Sequence, residues 1–507
     1  MNIRKLRLAW LGVLAVLAGC VSAPAPISGE RKLTGQEGAV VFKFITNGST
    51  AQDPSETLSS ITLKRELPPG VKETAQDTAV LSRTRAVTST TAVFSGRVAP
   101  GRYRVMHATG FRGNTTYTFP MGSMASHFDV KTGEVSLLGT LLVQPLEGTR
   151  FVVGYVPPDK ELTETFEALF PALAQQTRGH AVHTLELSPE LEKRKELVPQ
   201  IRQMSSAHNG LKADADGTVL AGGKLGRVLW RKPGESRWRS LQLETWKEVL
   251  SVRTYRGGLL AAGEEGLLRY SKDEGRTWQS LTPPDQGLIA AAEPLPNGKV
   301  IALVRRDTQW TAYASDDLMA GQWRKIGSFA QERSLNVPWQ NAIALSSGNR
   351  AGIMMPNGEY QVVDGSTETI QRSSTGLSTF TAQAMPDGML VVEGAIMTRT
   401  TVVSKDGGKT WTDLQTSRFV QAITFADART VYAIAPVSPG VFPGAFALMV
   451  SRDGARTWTK SGELPGGRVG AARSLFYDRA DGALLAFMQN GEVLRSTDEG
   501  KNWARSL

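Results

Sequence analysis

Cysteine is almost absent from this chain of 507 residues: Cys20 is the only one. Disulfides, cysteine-ligated metals and a cysteine nucleophile are therefore not expected beyond that position. Histidine is also scarce, which argues against a Ser-His-Asp site or a histidine-ligated metal in the C-terminal half. A pair in the sequence HAVH has no third ligand nearby, so we expect neither a metal nor another cofactor. The five histidines are His107, His127, His180, His183 and His208.

Long hydrophobic runs are missing as well, apart from Leu8 to Leu17 near the N-terminus. Arg4, Lys5 and Arg7 precede this run, and the arrangement is typical of a secretory signal peptide over residues 1–19. The run is short for a membrane span, although an ordinary N-terminal membrane helix is the alternative. We therefore expect the protein to be exported.

The signal sequence ends in LAGC, from Leu17 to Cys20. This resembles the lipobox of bacterial lipoproteins, in which the cysteine is acylated and becomes the new N-terminus. The resemblance implies that Cys20 carries a lipid anchor in the cell envelope, because several acyl chains hold a protein durably at a membrane. Val21, rather than Asp, after the cysteine resembles sorting to the outer membrane in enteric bacteria.

The sequence also lacks a region of concentrated positive charge. The formal net charge is +10, and it falls to +7 once the three signal-peptide bases are removed, with the rest scattered among acids. A scattered surplus usually belongs to a solvated surface, or otherwise attracts anionic envelope polymers or lipid head groups. No basic helix or stripe with interleaved aromatics indicates nucleic-acid binding, which we do not expect.

The chain divides by composition into a tether, a small domain, a connector and a long repeat tract. Residues 20–37 are rich in Pro, Ser, Gly and charge, and indicate a flexible tether. Residues 38–156 alternate apolar and polar residues in short runs between turns, which predicts a small antiparallel β-sandwich. The stretch FSGRVAPGRYRV, from Phe94 to Val105, resembles a hairpin of transthyretin-like modules. Residues 157–204 show apolar residues at helical spacing and predict a short helical connector.

One phrase recurs through the remainder, residues 205–507. It reads SKDEGRTW at Ser271, SKDGGKTW at Ser404, SRDGARTW at Ser451 and STDEGKNW at Ser496. With partial copies at Arg231 and Ser315, the starts lie 40, 44, 89, 47 and 45 residues apart, so one copy is missing near Asp364. Seven units of this length, each with four apolar runs, predict a seven-bladed β-propeller.

The phrase is similar to the Asp box of bacterial-neuraminidase-repeat propellers, and the third strands are most similar to those of photosystem II assembly-factor-type propellers. The aspartate can accept turn hydrogen bonds, the glycine can adopt positive φ, and the tryptophan can seat the turn on its blade. We therefore interpret the repeated acids as structural and not catalytic. They are Asp273, Asp406, Asp453 and Asp498.

Two classes of function remain open from the sequence. The resemblance to noncatalytic propellers favours a binding or assembly scaffold for a protein or glycan partner. The alternative is a sialidase-like or other glycoside hydrolase, because those enzymes share the Asp box. The Phe/Tyr-Arg-Ile-Pro segment of sialidases is not found, but a pair of catalytic carboxylates is invisible in sequence.

Any ligand site is expected at the end of the propeller opposite the repeated turns. Loops joining strands two and three, and loops joining successive blades, meet at that end because antiparallel strands alternate in direction. Arginine and exposed aromatic residues are enriched at interaction hot spots, and several fall in these loops. The candidates are Trp246, Arg305, Arg306, Trp310, Trp339, Arg399, Arg418 and Phe442.

Overall fold

The computed structural model describes most of the chain beyond the tether. The described ranges are 32–47, 58–86, 91–112, 115–121, 126–145, 151–177, 182–183, 185–205, 207–214, 216–331, 342–385, 388–395, 399–414, 422–437, 445–467, 472–488 and 491–507. No helix within these ranges is both long and apolar enough to cross a membrane.

The first part of the chain forms one curled sheet of ten strands. The strands run in the order β10-β8-β1-β4-β3-β2-β5-β6, while β7 pairs with β5 and β9 with β8. Their bounds are β1 Gly38–Thr46, β2 Leu58–Arg65, β3 Thr78–Ala86, β4 Thr91–Val98, β5 Gly101–Arg112, β6 Thr115–Pro120, β7 His127–Val130, β8 Val135–Pro145, β9 Phe151–Val156 and β10 Val182–His183.

One face of this sheet forms a hydrophobic core, which contains residues from β1 to β5 and from β7 to β9. The predicted alternation is visible in β1, where Val40, Phe42 and Phe44 enter that core. Most neighbouring strands are antiparallel, but β1 and β10 both pair with β8 in parallel. Alternation shows which side chains share a face, and it does not encode the direction of the neighbouring strand. The single sheet of ten strands and its parallel pairs therefore depart from the predicted small antiparallel β-sandwich.

Four short helices pack against the sheet, and Leu191 of the third helix enters the core that contains Val40 and Phe42. The bounds are α1 Lys160–Leu169, α2 Pro171–Gln176, α3 Pro189–Lys195 and α4 Val198–Gln203. Asp159 caps α1 by accepting a hydrogen bond from the Leu162 amide, and Ser188 caps α3 in the same way through the Leu191 amide. Apolar residues of α1 and α2 pack against alternate outward residues of β1, Ala39 and Val41. We call the sheet and these helices the N-terminal unit.

Seven separate four-stranded antiparallel sheets follow, each made of consecutive strands. The mainly-β architecture with a seven-bladed propeller is confirmed. In chain order, the blades are β11 Ala207–Ala213, β12 Val219–Gly223, β13 Arg227–Arg231, β14 Arg239–Gln242; β15 Val249–Tyr255, β16 Gly258–Gly263, β17 Leu268–Ser271, β18 Gln279–Ser280; β19 Leu288–Pro294, β20 Val300–Arg306, β21 Gln309–Ser315, β22 Arg324–Ala330; β23 Ile343–Ser347, β24 Arg350–Met354, β25 Glu359–Asp364, β26 Thr369–Ser374; β27 Ser378–Ala384, β28 Leu390–Ala395, β29 Arg399–Ser404, β30 Thr412–Asp413; β31 Ala422–Phe425, β32 Val431–Pro436, β33 Phe446–Ser451, β34 Thr459–Gly462; and β35 Ala472–Asp478, β36 Ala483–Met488, β37 Val493–Ser496, β38 Ala504–Arg505.

An apolar cluster lies at every boundary between neighbouring blades, so each blade buries both faces. Blade 4 lacks the repeated phrase, but a tight turn with different hydrogen bonds also joins its third and fourth strands. Asp364 accepts hydrogen bonds from the amides of Ser366 and Thr367, and Glu368 adopts φ +54°. The turn is thus a requirement of the blade, and the phrase is one way of building it.

The ring closes without exchanging a strand, because β11 to β14 and β35 to β38 form separate sheets. Side chains join these two blades instead. Trp238 packs edge-on against Phe487 at 5.4 Å between ring centroids, within a cluster shared by blades 1 and 7. The fully buried Arg231 forms ion pairs with Asp478 and Asp481 of blade 7. Closure therefore rests on packing, on one buried charge cluster and on hydrogen bonds such as that from the Ser506 hydroxyl to the Ser236 carbonyl oxygen.

Candidate functional site

The two ends of the propeller have different structures. The turns between strands one and two and between strands three and four lie at one end, which we call the repeat-turn end. The turns between strands two and three and the connections between blades lie at the other, which we call the junction end because the N-terminal unit docks there. Antiparallel alternation imposes this division on every blade.

At the repeat-turn end, each full copy of the phrase forms a turn that is held by hydrogen bonds between its own residues. In the turn at Ser271, the Asp273 carboxylate accepts from the Thr277 amide at 2.8 Å and from the Thr277 hydroxyl at 2.6 Å. The Ser271 hydroxyl accepts from the Gly275 amide at 2.7 Å. The turns at Ser404, Ser451 and Ser496 repeat these bonds.

These bonds hold the repeated carboxylates in the ionised form. Hydrogen bonds from Thr277, and then Ser271, lower the pKa of Asp273 to about 2. The pKa of Asp498 is likewise about 2, because Asn502 donates to it through its amide and side chain. A carboxylate that accepts several hydrogen bonds inside its own turn is poorly suited to donate a proton in catalysis.

At the junction end, blades 1 and 2 each insert one side chain into the N-terminal unit. Leu225 and Glu265 occupy the middle of equivalent three-residue turns, Lys224–Gly226 and Glu264–Gly266, with φ of +54° and +49°. Positive φ is uncommon for residues other than glycine and indicates that the surroundings hold the turn. Leu225 enters an apolar cluster with Ile45 and Ile201.

Glu265 enters a polar socket instead. Its carboxylate lies 3.1 Å from the Lys43 ammonium of β1 and accepts a hydrogen bond from the Thr165 hydroxyl of α1 at 2.9 Å. On the outward face of β1, Lys43 lies between Val41, which packs against the helices, and Ile45, which packs against Leu225. Successive outward residues of β1 therefore pack against the helices, form the ion pair with Glu265 and contact Leu225.

Trp246, a predicted ligand residue, belongs to this junction. Its indole donates to the Asp159 carboxylate at 2.7 Å, and its backbone amide donates to Glu161 at 2.8 Å. The Arg202 guanidinium lies over its ring at 4.7 Å and donates to the carbonyl oxygens of Leu243 and Thr245. Trp246 thus holds the N-terminal unit, which corrects its assignment to an open ligand face.

Trp310 is likewise a packing residue. It is 1% exposed, and its ring stacks on Phe329 at 6.3 Å in the core between blades 3 and 4. Arg305 is mostly buried over this ring at 5.9 Å, whereas the exposed Arg306 pairs with Asp285. Of these predicted residues, Arg306 is the one that presents its charged group to solvent.

The other predicted ligand residues lie partly or wholly outside the described residues. Arg399 begins β29 at the junction end, but its side chain lies outside the described part of the structure. Trp339, Arg418 and Phe442 lie entirely outside it. Cys20 also lies outside the described residues.

A cleft of about 740 Å³ runs between α1 and blades 2 and 3. One wall carries Glu161, Glu164 and Thr165 of α1. The opposite wall includes Lys247, Glu265, Arg305 and Arg306, and leucines line its floor. A pocket of this size at a junction of two units is a common place for ligands. Within the described ranges, no group of three or more His, Cys, Asp or Glu residues is arranged to hold a metal ion.

Sequence reasoning missed the junction residues Lys43, Thr165, Leu225 and Glu265. Two signals were present in the sequence. Lys43 is the one charge in the apolar run AVVFKFI, and KLG and EEG occupy equivalent positions in blades 1 and 2. A charge at a buried strand position requires a partner, and the structure provides it from a turn 222 residues away.

No protein-family model matches this chain, and no curated protein matches it. Among solved structures, one described as YCF48 bound to D1 peptide is 16% identical with a TM-score of 0.43, covering 58% of this chain and 93% of the other. The GH74 enzyme of Niastella koreensis is 12% identical with a TM-score of 0.43, covering 86% of this chain and 74% of the other. The Cps50 (Swd1) β-propeller domain of Myceliophteria thermophila is 13% identical with a TM-score of 0.40, covering 58% and 98% respectively. These similarities are to β-propeller structures at low identity, and they do not extend to ligand or activity.

Proposed function

We propose that this protein is a lipid-anchored component of the bacterial cell envelope, at the outer membrane, whose propeller is a docking scaffold for a protein or glycan partner. One observation carries the docking function. The junction end already binds a protein unit in cis, through the Lys224–Gly226 and Glu264–Gly266 turns of blades 1 and 2 and the connection that carries Trp246. A partner in trans would dock at the same end of blades 3 to 7.

Hydrolysis of a glycoside has less support in the described residues. The repeated aspartates are engaged in their own turns. The pKa of Glu264 is raised, as a general acid requires, but its side chain is fully buried. A substrate cannot reach it without separating the two units. We therefore favour docking over glycoside hydrolysis as the function of the propeller.

The lipid anchor is tested by replacing Cys20. We expect Cys20→Ser to accumulate as an unprocessed precursor and to lose labelling by a palmitate analogue, because the cysteine thiol accepts the diacylglyceryl group that carries the first acyl chains, forming a thioether. The matched control is Ser22→Ala, which leaves the cysteine in place. Normal processing of Cys20→Ser would rule out lipidation at this residue.

The docking face is tested by paired charge reversals at the two ends. A photo-crosslinking residue at the junction end should capture the partner in native envelopes, and Arg306→Glu should reduce this capture at least several-fold because interface arginines are often hot spots. Lys409→Glu, an exposed position in a repeat turn, should leave capture unchanged. The opposite pattern would assign the partner to the repeat-turn end. Turnover of fluorogenic sialosides or other glycosides by the native protein would instead favour the hydrolase.

A further inference from the structure

A groove of about 580 Å³ runs along the outer wall of the propeller between blades 4 and 5. β26, the fourth strand of blade 4, forms one side, and the third and fourth strands of blade 5 form the other. The volume lies within the range of about 300–1,000 Å³ that is common for ligand sites. The groove shares no lining residue with the cleft beside α1, so it is a separate candidate site.

Trp411, which ends the repeat turn of blade 5, reaches this groove as a fixed apolar surface. Its ring is half-buried, meets Tyr360 edge-on at 5.8 Å between centroids, and donates through Nε1 to the Ser373 hydroxyl at 3.1 Å. Ser373 in turn donates to the Gly408 carbonyl oxygen. Because packing and a hydrogen bond already hold the indole, little of its conformational freedom is lost when a ligand binds. The groove therefore contains a preorganised aromatic side chain.

A carboxylate and a hydroxyl lie beside this ring. Asp413 pairs with Val402 across β29 and β30, and Val402 belongs to the apolar cluster between blades 4 and 5. Residues opposite each other in a sheet share a face, so Asp413 lies on the face towards blade 4. Asp413 is exposed, and its carboxylate accepts a hydrogen bond from the Thr400 hydroxyl at 3.2 Å. Alternation along the chain places Trp411 on the same face.

Blade 5 differs from the other blades at this carboxylate. Six blades carry a tryptophan at the end of the turn between their third and fourth strands, and blade 5 is the one in which Asp follows two positions later. The turn itself therefore does not require an acid there, and Asp413 is a feature of this groove. The corresponding residues of the other five blades are Ser240, Ser280, Lys325, Lys460 and Arg505.

The facing position in blade 4 also differs from its counterpart. At the boundary between blades 1 and 2, Leu241 lies against Gly275 and packs in the same apolar cluster as Trp278. At the boundary between blades 4 and 5, Ser373 takes the corresponding place against Gly408. Serine fills less space than leucine and adds a hydroxyl group. The groove thus lies where two departures from the repeat meet.

These side chains are complementary to a sugar. A pyranose ring presents C–H groups on its faces, which pack against an aromatic ring, and its hydroxyl groups both donate and accept hydrogen bonds. Trp411 supplies the aromatic surface, and Asp413 and Thr400 supply oxygen atoms that can accept from sugar hydroxyls. Lys409, which also lines the groove, supplies an ammonium donor.

The balance of charge indicates the class of sugar. Lys409 and Asp413 line the groove from blade 5 with opposite charges. Arg372 lines it from blade 4, but its guanidinium lies 3.7 Å from Glu359 of the same blade. The two bases are thus matched by two acids, which gives no advantage to a charged ligand. From these observations we infer that the groove between blades 4 and 5 binds an uncharged oligosaccharide. This inference goes beyond the docking function proposed for the junction end.

Binding is tested on the full chain, kept in solution with a detergent that has no sugar headgroup. The probes are trisaccharides of glucose, galactose, mannose and N-acetylglucosamine, with a trisaccharide of galacturonic acid as the charged comparison. Isothermal titration calorimetry should detect binding of at least one uncharged trisaccharide. Its affinity should stay unchanged when NaCl is raised from about 50 mM to about 500 mM, because no ion pair is formed.

The position of the bound sugar is tested by hydrogen exchange at saturating trisaccharide. Peptides that cover residues 369–377 and 409–413 should exchange more slowly, because ligand binding suppresses local opening. A peptide from Val431–Pro436 in blade 6 should be unaffected.

Two variants separate this site from binding elsewhere. Asp413→Asn should weaken the affinity about tenfold or more, because it removes a charged hydrogen-bond acceptor without changing the size of the side chain. Ser280→Asn, the matched change in blade 2, should leave the affinity unchanged. Ser373→Leu restores the leucine found in blade 1 and should abolish binding by filling the groove. Should Ser373→Leu not fold, Asp413→Asn decides.

The inference is overturned if none of the uncharged trisaccharides binds, or if the acidic trisaccharide binds more tightly than all of them. It is also overturned if Asp413→Asn weakens binding no more than Ser280→Asn, or if exchange slows only outside the two groove peptides. Asp413→Asn should leave partner capture at the junction end intact. Absence of capture together with normal sugar binding would count against the docking function alone.

Discussion

Arg231→Met is expected to lower the free energy of unfolding by about 3–5 kcal/mol, because it removes one side of a buried charge cluster. Arg231 has no exposed side-chain surface, and it contacts Asp478 and Asp481 across the closure of the ring. Its Nη1 also donates to the Glu235 carbonyl oxygen at 2.6 Å. Without the guanidinium, Asp478 remains 2% exposed with its charge uncompensated.

The closure has no exchanged strand to compensate for this loss, so the defect lies where blades 1 and 7 are joined mainly through side chains. Urea unfolding followed by tryptophan fluorescence should show the loss directly. Arg231→Met combined with Asp478→Asn should recover part of the stability, because the second change removes the unpaired charge. Arg306→Met, which breaks an exposed pair with Asp285, should cost less than about 1 kcal/mol. A similar small cost for Arg231→Met would mean that the cluster does not hold the ring.

The repeated units made the propeller predictable from sequence. A phrase that recurs every blade is an internal alignment, so the strands of one unit indicate those of the next, even in blade 4 where Asp364 supports a different turn. The curled N-terminal sheet had no such redundancy. Its apolar alternation predicted strands, but the parallel pairing of β1 with β8 depends on contacts that have no local signature.

For the candidate ligand residues, the end of the propeller could be predicted from sequence, but their exposure could not. Strand alternation placed ligand residues at the junction end, and Arg306 and the start of β29 lie there. Exposure could not be inferred in the same way. Trp310 faces the neighbouring blade, and Trp246 faces a helix 87 residues away in the chain. Whether an aromatic residue of a loop meets solvent or another element depends on long-range packing, which a single sequence does not show.

A second large effect is expected from Gly408→Ala, which should lower the free energy of unfolding by about 2–4 kcal/mol. Gly408 is the glycine of a repeat turn, with φ +88°, and an added Cβ would overlap the ring of Tyr360 in the preceding blade. That ring is 1% exposed, its hydroxyl donates to the Leu345 carbonyl oxygen at 3.1 Å, and it meets Trp411 edge-on at 5.8 Å. It therefore cannot move aside without disturbing the boundary between blades 4 and 5.

The chain supplies controls that separate backbone strain from overlap. Gly376 has φ +71° with no neighbouring atom within 4 Å of an added Cβ, so Gly376→Ala should cost only about 1–2 kcal/mol. Blade 6 carries Ala455 at the position equivalent to Gly408, with φ +70°, in a cluster that accommodates the methyl group. Ala455→Gly should therefore stabilise the protein by less than about 1 kcal/mol, since relief of strain is partly offset by entropy gained in the unfolded chain. If Gly408→Ala costs no more than Gly376→Ala in urea unfolding, the contact with Tyr360 is not what requires glycine there. If it costs more, the glycine of this turn is explained by the close approach of Gly408 to Tyr360 in the blade before it.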